Sequence, residues 1–194
     1  AGEIIEYSEL VLATGSYPFV PPIPGREHPH CHVYRTIADL DEILAIAELP
    51  TVKKGVVVGG GLLGLEAAKA LVTLGLDTYV VEFAPQLMGV QLDAAGGEIL
   101  KRKIEALGVK VLTGKNTKEI LSNTARHSDD TSSDGQHLTM QFTDGTSLTT
   151  DMIVFSAGIR PQDGLIKNNP ECGIEMGGRG GILINEQCRT NVDH

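Results

Sequence analysis

The stretch VVVGGGLLGLEAA, Val56 to Ala68, constrains this chain more than any other segment. Three consecutive valines read as a buried strand, three glycines follow at once, and the apolar, alanine-rich run after them reads as a helix. Gly59, Gly61 and Gly64 stand at G-x-G-x-x-G spacing, with a strand before and a helix after, the context in which that spacing carries a mechanism. The first glycine permits a tight turn, the second lets backbone approach a pyrophosphate, and the third lets helix pack against strand. The N–H groups and dipole of the helix start, at Leu62 and Leu63, then receive the phosphates. Glu82 ends the next predicted strand, eighteen residues after Gly64. A carboxylate there accepts hydrogen bonds from both ribose hydroxyls of an adenosine and repels a 2′-phosphate. The following FAPQL offers no arginine to receive one, so NADH is favoured over NADPH. A methyltransferase that binds S-adenosylmethionine places glycines and an acid in the same way and stays open on these residues alone.

Around this motif, strand-like and helix-like segments alternate, which predicts an α/β fold on a parallel sheet. ELVLATG, Glu9–Gly15, is a short apolar run closed by glycine, and the four prolines of SYPFVPPIPG make the next stretch an extended connector. Thr36 caps a helix over TIADLDEILAIAEL, with Asp39 three residues on and Ile37, Leu40, Ile43, Leu44 and Ala47 at helical spacing. It reads as a cover for the connector rather than as a docking helix. The strand GVVV, a helix over Leu62–Leu74, the strand TYVVEF, an amphipathic helix over GGEILKRKIEALG and the strand VKVLTG follow in order. From Asn116 the pattern turns to short β segments, and LTMQF, the turn TDG and SLTTD predict a hairpin around Asp144–Gly145. DMIVFSAG then returns as a near-continuous apolar strand of the main sheet. Between the β segments, NTARHSDDTSSDG is too polar to bury and reads as a mobile loop. The predicted architecture is a Rossmann-like, three-layer α/β core, a central parallel sheet with an antiparallel β excursion.

Composition excludes several partners. With four Phe, four Tyr and no Trp, the core must be built from Val, Ile, Leu and Ala. A net charge of −9 argues against nucleic acid, whose phosphates need clustered Lys and Arg. No stretch approaches the roughly 18 apolar residues of a membrane span, and AGEIIEYSEL is no signal peptide, so a cytoplasmic protein without a membrane partner is expected. Cys31, Cys172 and Cys188 are odd in number and far apart, which predicts reduced thiols. HPHCH, His28 to His32, packs four potential metal ligands into five residues. Pro29 stiffens its middle and no second cluster completes a tetrahedral set, so a solvated loop is expected there.

Taken in order, LVLATGSYPFVPPIPG, VYRTIADLDEI, GVVVGGGLLGLEAAKAL, EFAPQLM and DMIVFSAGIRPQ resemble the flavin-dependent pyridine-nucleotide-disulfide oxidoreductases over nearly the whole chain. Within that superfamily, ATGSYP, VYRTI, GGGLLGLEAA, EFAPQLM and VFSAGIRP are most similar to the large subunits of NADH-dependent assimilatory nitrite reductases. The resemblance implies an FAD domain split by an inserted NAD domain. Residues 1–35 would be the edge of the first FAD segment with its linker, 36–160 the NAD(H)-binding domain, and 161–194 the return toward the second FAD segment. Ala13, Thr14 and Gly15 would border FAD in the full-length parent, while Gly59, Gly61, Leu62, Leu63, Gly64, Glu66, Glu82 and Gly158 would contact NADH.

Two of these positions carry a second reading. Glu66 matches a family glutamate near the nicotinamide, or is an exposed first-turn acid that favours the helix dipole. Gly158 matches a family glycine that lets cofactor pass close to backbone, or is a simple strand-end turn. Leu62 stands where many relatives carry an aromatic lid, so that lid is not carried over. The family's FAD glycine fingerprint is absent upstream, and GGILINEQCRTNVDH stops before the second FAD motif, which reads as a truncated segment whose partners are the remaining domains of the parent. Paired redox cysteines are missing, as are the cysteines for the iron–sulfur and siroheme centres that the resemblance implies for the parent. The implied role is to orient NADH for hydride transfer to FAD in nitrite reduction to ammonia. An FAD reductase serving ferredoxin, rubredoxin or oxygen, and a non-catalytic NAD-sensing module, are the alternatives.

Overall fold

The computed structural model describes residues 2–123 and 137–192. In chain order they form β1 (Ser16–Pro18), β2 (Cys31–Val33), α1 (Ile37–Ala47), β3 (Lys54–Val58), α2 (Leu62–Thr73), β4 (Asp77–Val81), α3 (Ala94–Ala106), β5 (Val109–Leu112), β6 (Thr117–Asn123), β7 (His137–Phe142), β8 (Ser147–Thr150), β9 (Met152–Phe155), β10 (Ile159–Pro161) and α4 (Gly164–Lys167). Contacts divide the chain into two compact units, Pro18–Gly158 and the segments Ala1–Tyr17 with Ile159–His194. The boundaries drawn from sequence at 35/36 and 160/161 therefore differ from the contact boundaries. Residues 18–35 pack with the larger unit, and Ile159 and Arg160 go with the smaller one.

The larger unit has the three predicted layers. Its centre is an all-parallel sheet in the order β2-β9-β3-β4-β5. Successive strand residues face opposite sides, so a run such as VVV is buried only if both faces are covered. Val57, Val80, Met152 and Val154 join Ile43 of α1 and Ala67, Ala68 and Leu71 of α2 in one core. Val56, Val58, Val81, Ile153 and Phe155 meet Ile120, Leu138, Met140 and Phe142 of the antiparallel sheet β6-β7-β8 in the other. The predicted hairpin is β7–β8, and β6 adds a third strand to it.

Local chemistry sets the helix starts. Thr36 Oγ1 accepts from Asp39 N and Asp39 Oδ2 accepts from Thr36 N, a reciprocal cap that begins α1 where predicted. Ile43, Ile46 and Ala47 then carry α1 into the helical layer, so it belongs to the main core instead of covering the connector. Asp93 caps α3 by accepting from Gly96 N. On the far side, the buried Asp151 carboxylate binds the excursion to the parallel sheet. Its Oδ2 accepts from Lys53 N and Lys54 N, and its Oδ1 is 2.6 Å from His137 Nδ1.

The short apolar run Glu9–Gly15 forms no strand: Leu10 and Val11 are exposed, and the extended pairing begins only at Ser16, where β1 meets β10. An apolar run becomes a strand only where a neighbour accepts its hydrogen bonds and covers a face. HPHCH is a loop only over residues 28–30, because Cys31–Val33 is the edge strand β2, pairing with Ile153–Phe155 of β9. His30 Nδ1 lies 2.8 Å from Asp151 O, and burial pushes the Cys31 thiol up to about 12. Among the described residues no group of His, Cys, Asp and Glu is placed to hold a metal ion, and no helix is long and apolar enough to cross a membrane. The predicted polar loop NTARHSDDTSSDG lies outside the described residues, apart from Asn123 at the end of β6.

His32 supplies a pH dependence. Its side chain is buried in β2, its Nε2 has no hydrogen-bond partner among the described residues, and burial lowers its pKa, an effect that Glu42 of α1, 3.7 Å from Nδ1, opposes. A histidine whose folded pKa is depressed leaves the unfolded chain to bind the proton first. Its contribution to stability is thus fully present above the ordinary histidine value of about 6.5 and is lost as pH falls below it. Urea unfolding at neutral and mildly acidic pH should show this loss, reduced in His32→Gln. An unchanged pH slope in the variant would assign the titration to another group.

In the smaller unit, β1 and β10 form a two-stranded ribbon and Gly15 O accepts from Gln162 N at 2.9 Å. Asp163 accepts from Gly181 N at 2.7 Å and pairs with Lys167 Nζ at 2.8 Å; the lysine holds its carboxyl below the usual range.

Candidate functional site

The chain runs outward from β3 to β4 and β5, whereas β9 joins the other edge of β3. Ligands in open α/β sheets sit outside the carboxyl ends of strands at such a reversal. Three turns leave the sheet there: Gly59–Gly61 after β3, Glu82–Met88 after β4, and Ser156–Gly158 after β9.

Each glycine of the motif has its own reason. Gly59 has φ +121, its N donates to Val81 O, and a Cβ would fall onto the Ser156 carbonyl oxygen. Gly64 is buried in α2, and a Cβ there would meet the Gly59 carbonyl oxygen, the close helix–strand approach anticipated from sequence. Gly61, the residue that caps α2, has nothing within 4 Å of where its Cβ would be. No side-chain hydrogen bond caps this helix and no acidic residue lies in its first turn, so among the described residues the amides of that turn have no carboxylate from the helix itself. Leu62 and Leu63 begin the helix and are 69% and 45% exposed. Glu66 is exposed but sits at the fifth helical position. Its first-turn reading is therefore corrected, because α2 begins at Leu62 and the dipole effect fades within one turn.

Glu82 follows β4 directly, and its carboxylate is tethered at both oxygens. Oε2 accepts from Gly60 N at 2.5 Å and Oε1 from Ala84 N at 2.6 Å. Carboxylate oxygens have two lone-pair directions each, so both retain capacity for a further donor. Phe83, beside it, is 72% exposed. Leu87 is wholly buried, and Met88, at φ +52, donates from its N to Gly60 O at 3.0 Å. Gly158 closes the turn after β9 at φ +104 with open space on its Cβ side, and its carbonyl accepts from Phe19 N. Ala13, Thr14 and Gly15 lie in the other compact unit; all three are exposed, and Gly15 has φ +73 with open space around it.

Sequence reasoning missed Gly60, Leu87, Met88 and Ser156. The middle glycine of GGG was a visible signal, because G-x-G-x-x-G asks for no glycine at that place. The Ser156 contact arises from a pairing of strands distant in sequence and had none.

The profile described as pyridine nucleotide-disulphide oxidoreductase matches residues 1–194. The chain is 55% identical over 190 residues to an NAD(P)H nitrite reductase large subunit from Klebsiella oxytoca, covering 98% of this chain and 18% of that protein. It is 51% identical over 191 residues to the NADH nitrite reductase large subunit of Escherichia coli, covering 98% and 21% respectively. A ferredoxin reductase structure from Rhodopseudomonas palustris superposes with a TM-score of 0.79 at 26% identity, over 96% of this chain and 42% of that one. The chain spans 18% and 21% of the two nitrite reductase subunits. A glycine loop at the switch point, an acid after β4 and a family match along the full length agree: the chain belongs to the pyridine nucleotide-disulphide oxidoreductase family.

Proposed function

We propose that this chain is the NADH-binding region of a flavoprotein reductase, and that the whole protein uses NADH to reduce nitrite to ammonia in nitrate assimilation in the cytoplasm. The observation that carries the first part is the open space at Gly61, between an uncapped helix start and the fixed Glu82 carboxylate. A pyrophosphate fits this place. The N–H groups at Leu62, Leu63 and Gly64 would hold its oxygens, and the remaining lone pairs of Glu82 would accept from the adenosine ribose. Leu62, Glu66 and Gly158 would line the nicotinamide end, and Ala13, Thr14 and Gly15 would border FAD.

When bound, NADH supplies a hydride and FAD accepts it and passes electrons on singly, chemistry that belongs to the cofactors. The chain's own residues bind, orient and select. The nitrite assignment rests on the identities of 55% and 51% to nitrite reductase large subunits. Iron–sulfur and siroheme centres would then lie in the remaining domains, the partners of this region. Ammonia formation from nitrite by the full-length protein with NADH tests the assignment; NADH oxidation without ammonia would point to another acceptor.

Selectivity is tested on the chain itself. NADH should bind more tightly than NADPH by calorimetry, and Glu82→Arg should narrow or reverse the preference, because it removes both the ribose acceptor and the repulsion of a 2′-phosphate. Equal affinities in the unaltered chain would remove Glu82 from the selecting role.

A further inference from the structure

We infer that Gly60, between the first two glycines of the motif, is a specificity-determining position that acts through Glu82 by holding its carboxylate where a 2′-phosphate would have to lie. The inference rests on the NADH reading above and names a residue that reading does not use.

All of Gly60 is engaged by the segment after β4. Its N donates to Glu82 Oε2 at 2.5 Å, and its O accepts from Met88 N at 3.0 Å. Its missing side chain leaves room for two others, since a Cβ would lie 2.5 Å from Leu87 Cδ2, 3.1 Å from Glu82 Oε2 and 3.2 Å from Glu82 Cβ. Leu87 is wholly buried in the helical-face core, so it has little room to retreat, whereas Glu82 is only partly buried. A methyl group at residue 60 would therefore conflict most with Leu87 and, at 3.1 to 3.2 Å, also push the Glu82 side chain by a few tenths of an ångström out of its tethered position. Gly60 is not among the glycines with positive φ, so alanine there adds crowding without backbone strain.

Tethering changes what an acid can discriminate. A free glutamate meeting a 2′-phosphate rotates its side chain away and loses little. Glu82 must break two short charge-assisted hydrogen bonds to do the same, to Gly60 N and Ala84 N. The cost falls on NADPH and not on NADH, whose ribose hydroxyls meet the carboxylate in place. Rejection of the wrong cofactor thus comes from the rigidity of the acid as well as its charge. The three adjacent glycines divide the work: Gly59 admits the backbone of β9's exit, Gly60 fixes the selecting acid, and Gly61 leaves room for the ligand.

The test is calorimetric titration of NADH and NADPH into the unaltered chain, Gly60→Ala, Glu82→Gln and the double variant, with thermal unfolding of each. Gly60→Ala should lower the NADH-to-NADPH affinity ratio about tenfold, chiefly through tighter NADPH binding, because a loosened carboxylate can turn away from the 2′-phosphate. In the Glu82→Gln background the same substitution should leave the ratio unchanged, because its effect passes through the carboxylate. Ala84→Pro removes the other tethering N–H without crowding Leu87 and should lower the ratio in the same direction; it decides the matter if Gly60→Ala does not fold. An unchanged ratio in a folded Gly60→Ala, an equal loss for both nucleotides, or a change that persists beside Glu82→Gln would overturn the inference while leaving NADH binding intact. Failure of the unaltered chain to bind either nucleotide would overturn the NADH reading, and this inference with it.

Discussion

Gly59→Ala is expected to destabilise the chain by about 3 kcal/mol or more, since a backbone region closed to most L-residues and a steric conflict with rigid backbone coincide there. The residue sits at φ +121, and the oxygen that its Cβ would strike is the carbonyl of Ser156, part of the main chain leaving β9. The atoms struck are main-chain atoms, so no rotation of a side chain relieves the contact. Relief requires moving β3 and β9 apart, yet Val56, Val57, Ile153, Val154 and Phe155 are among the best buried residues of the protein. Urea unfolding of the variant should show the midpoint falling sharply, with nucleotide binding lost as a consequence. A loss below about 1 kcal/mol would mean that the exit of β9 yields easily, contrary to its packing.

Gly61→Val should do the opposite, removing function and sparing the fold. Gly61 has φ −86 and ψ −176, an extended conformation in which valine is comfortable, and nothing lies within 4 Å of the added Cβ. Valine caps a helix less well than glycine, a loss of about 0.5–1 kcal/mol that leaves the fold intact. The added branches instead occupy the space in front of the α2 amides. NADH affinity should fall about a hundredfold or more, with the thermal midpoint little changed. Retained affinity in a folded Gly61→Val would mean that the loop is only a turn.

These substitutions, two residues apart, also show where sequence is a sufficient guide. The order of α1, β3, α2, β4, α3, β5 and β9 was legible because each element is set by local pattern: the valine runs, the apolar spacing of the helices, the Thr36 and Asp39 pair. The loop was legible because glycine spacing encodes backbone geometry directly. What could not be read was settled by distant neighbours. β2 is three residues carrying a histidine, and it is a strand because Cys31, His32 and Val33 pair with Ile153, Val154 and Phe155. ELVLATG looked more strand-like than CHV yet forms none, since its exposed Leu10 and Val11 gain no apolar cover. Glu82 was correctly placed at the end of β4, but its two backbone donors depend on how the segment after β4 folds back on the loop.

The position of β9 has a consequence for how the chain is made. β3, β4 and β5 pair with strands adjacent in sequence, so the half-sheet they form is available once residue 112 has been synthesised. The other edge of β3 is completed only when Val56 meets Ile153 and Val57 meets Val154, after the whole antiparallel excursion has emerged. Until then Val56, Val57 and Val58 present an apolar edge with free hydrogen-bonding groups, the kind of surface on which nascent chains associate wrongly. Closing a loop of roughly a hundred residues is a modest entropic burden that grows only logarithmically with length. The risk is one of timing: the strand that completes the binding end of the sheet emerges only after the excursion, and the exposed edge must wait for it.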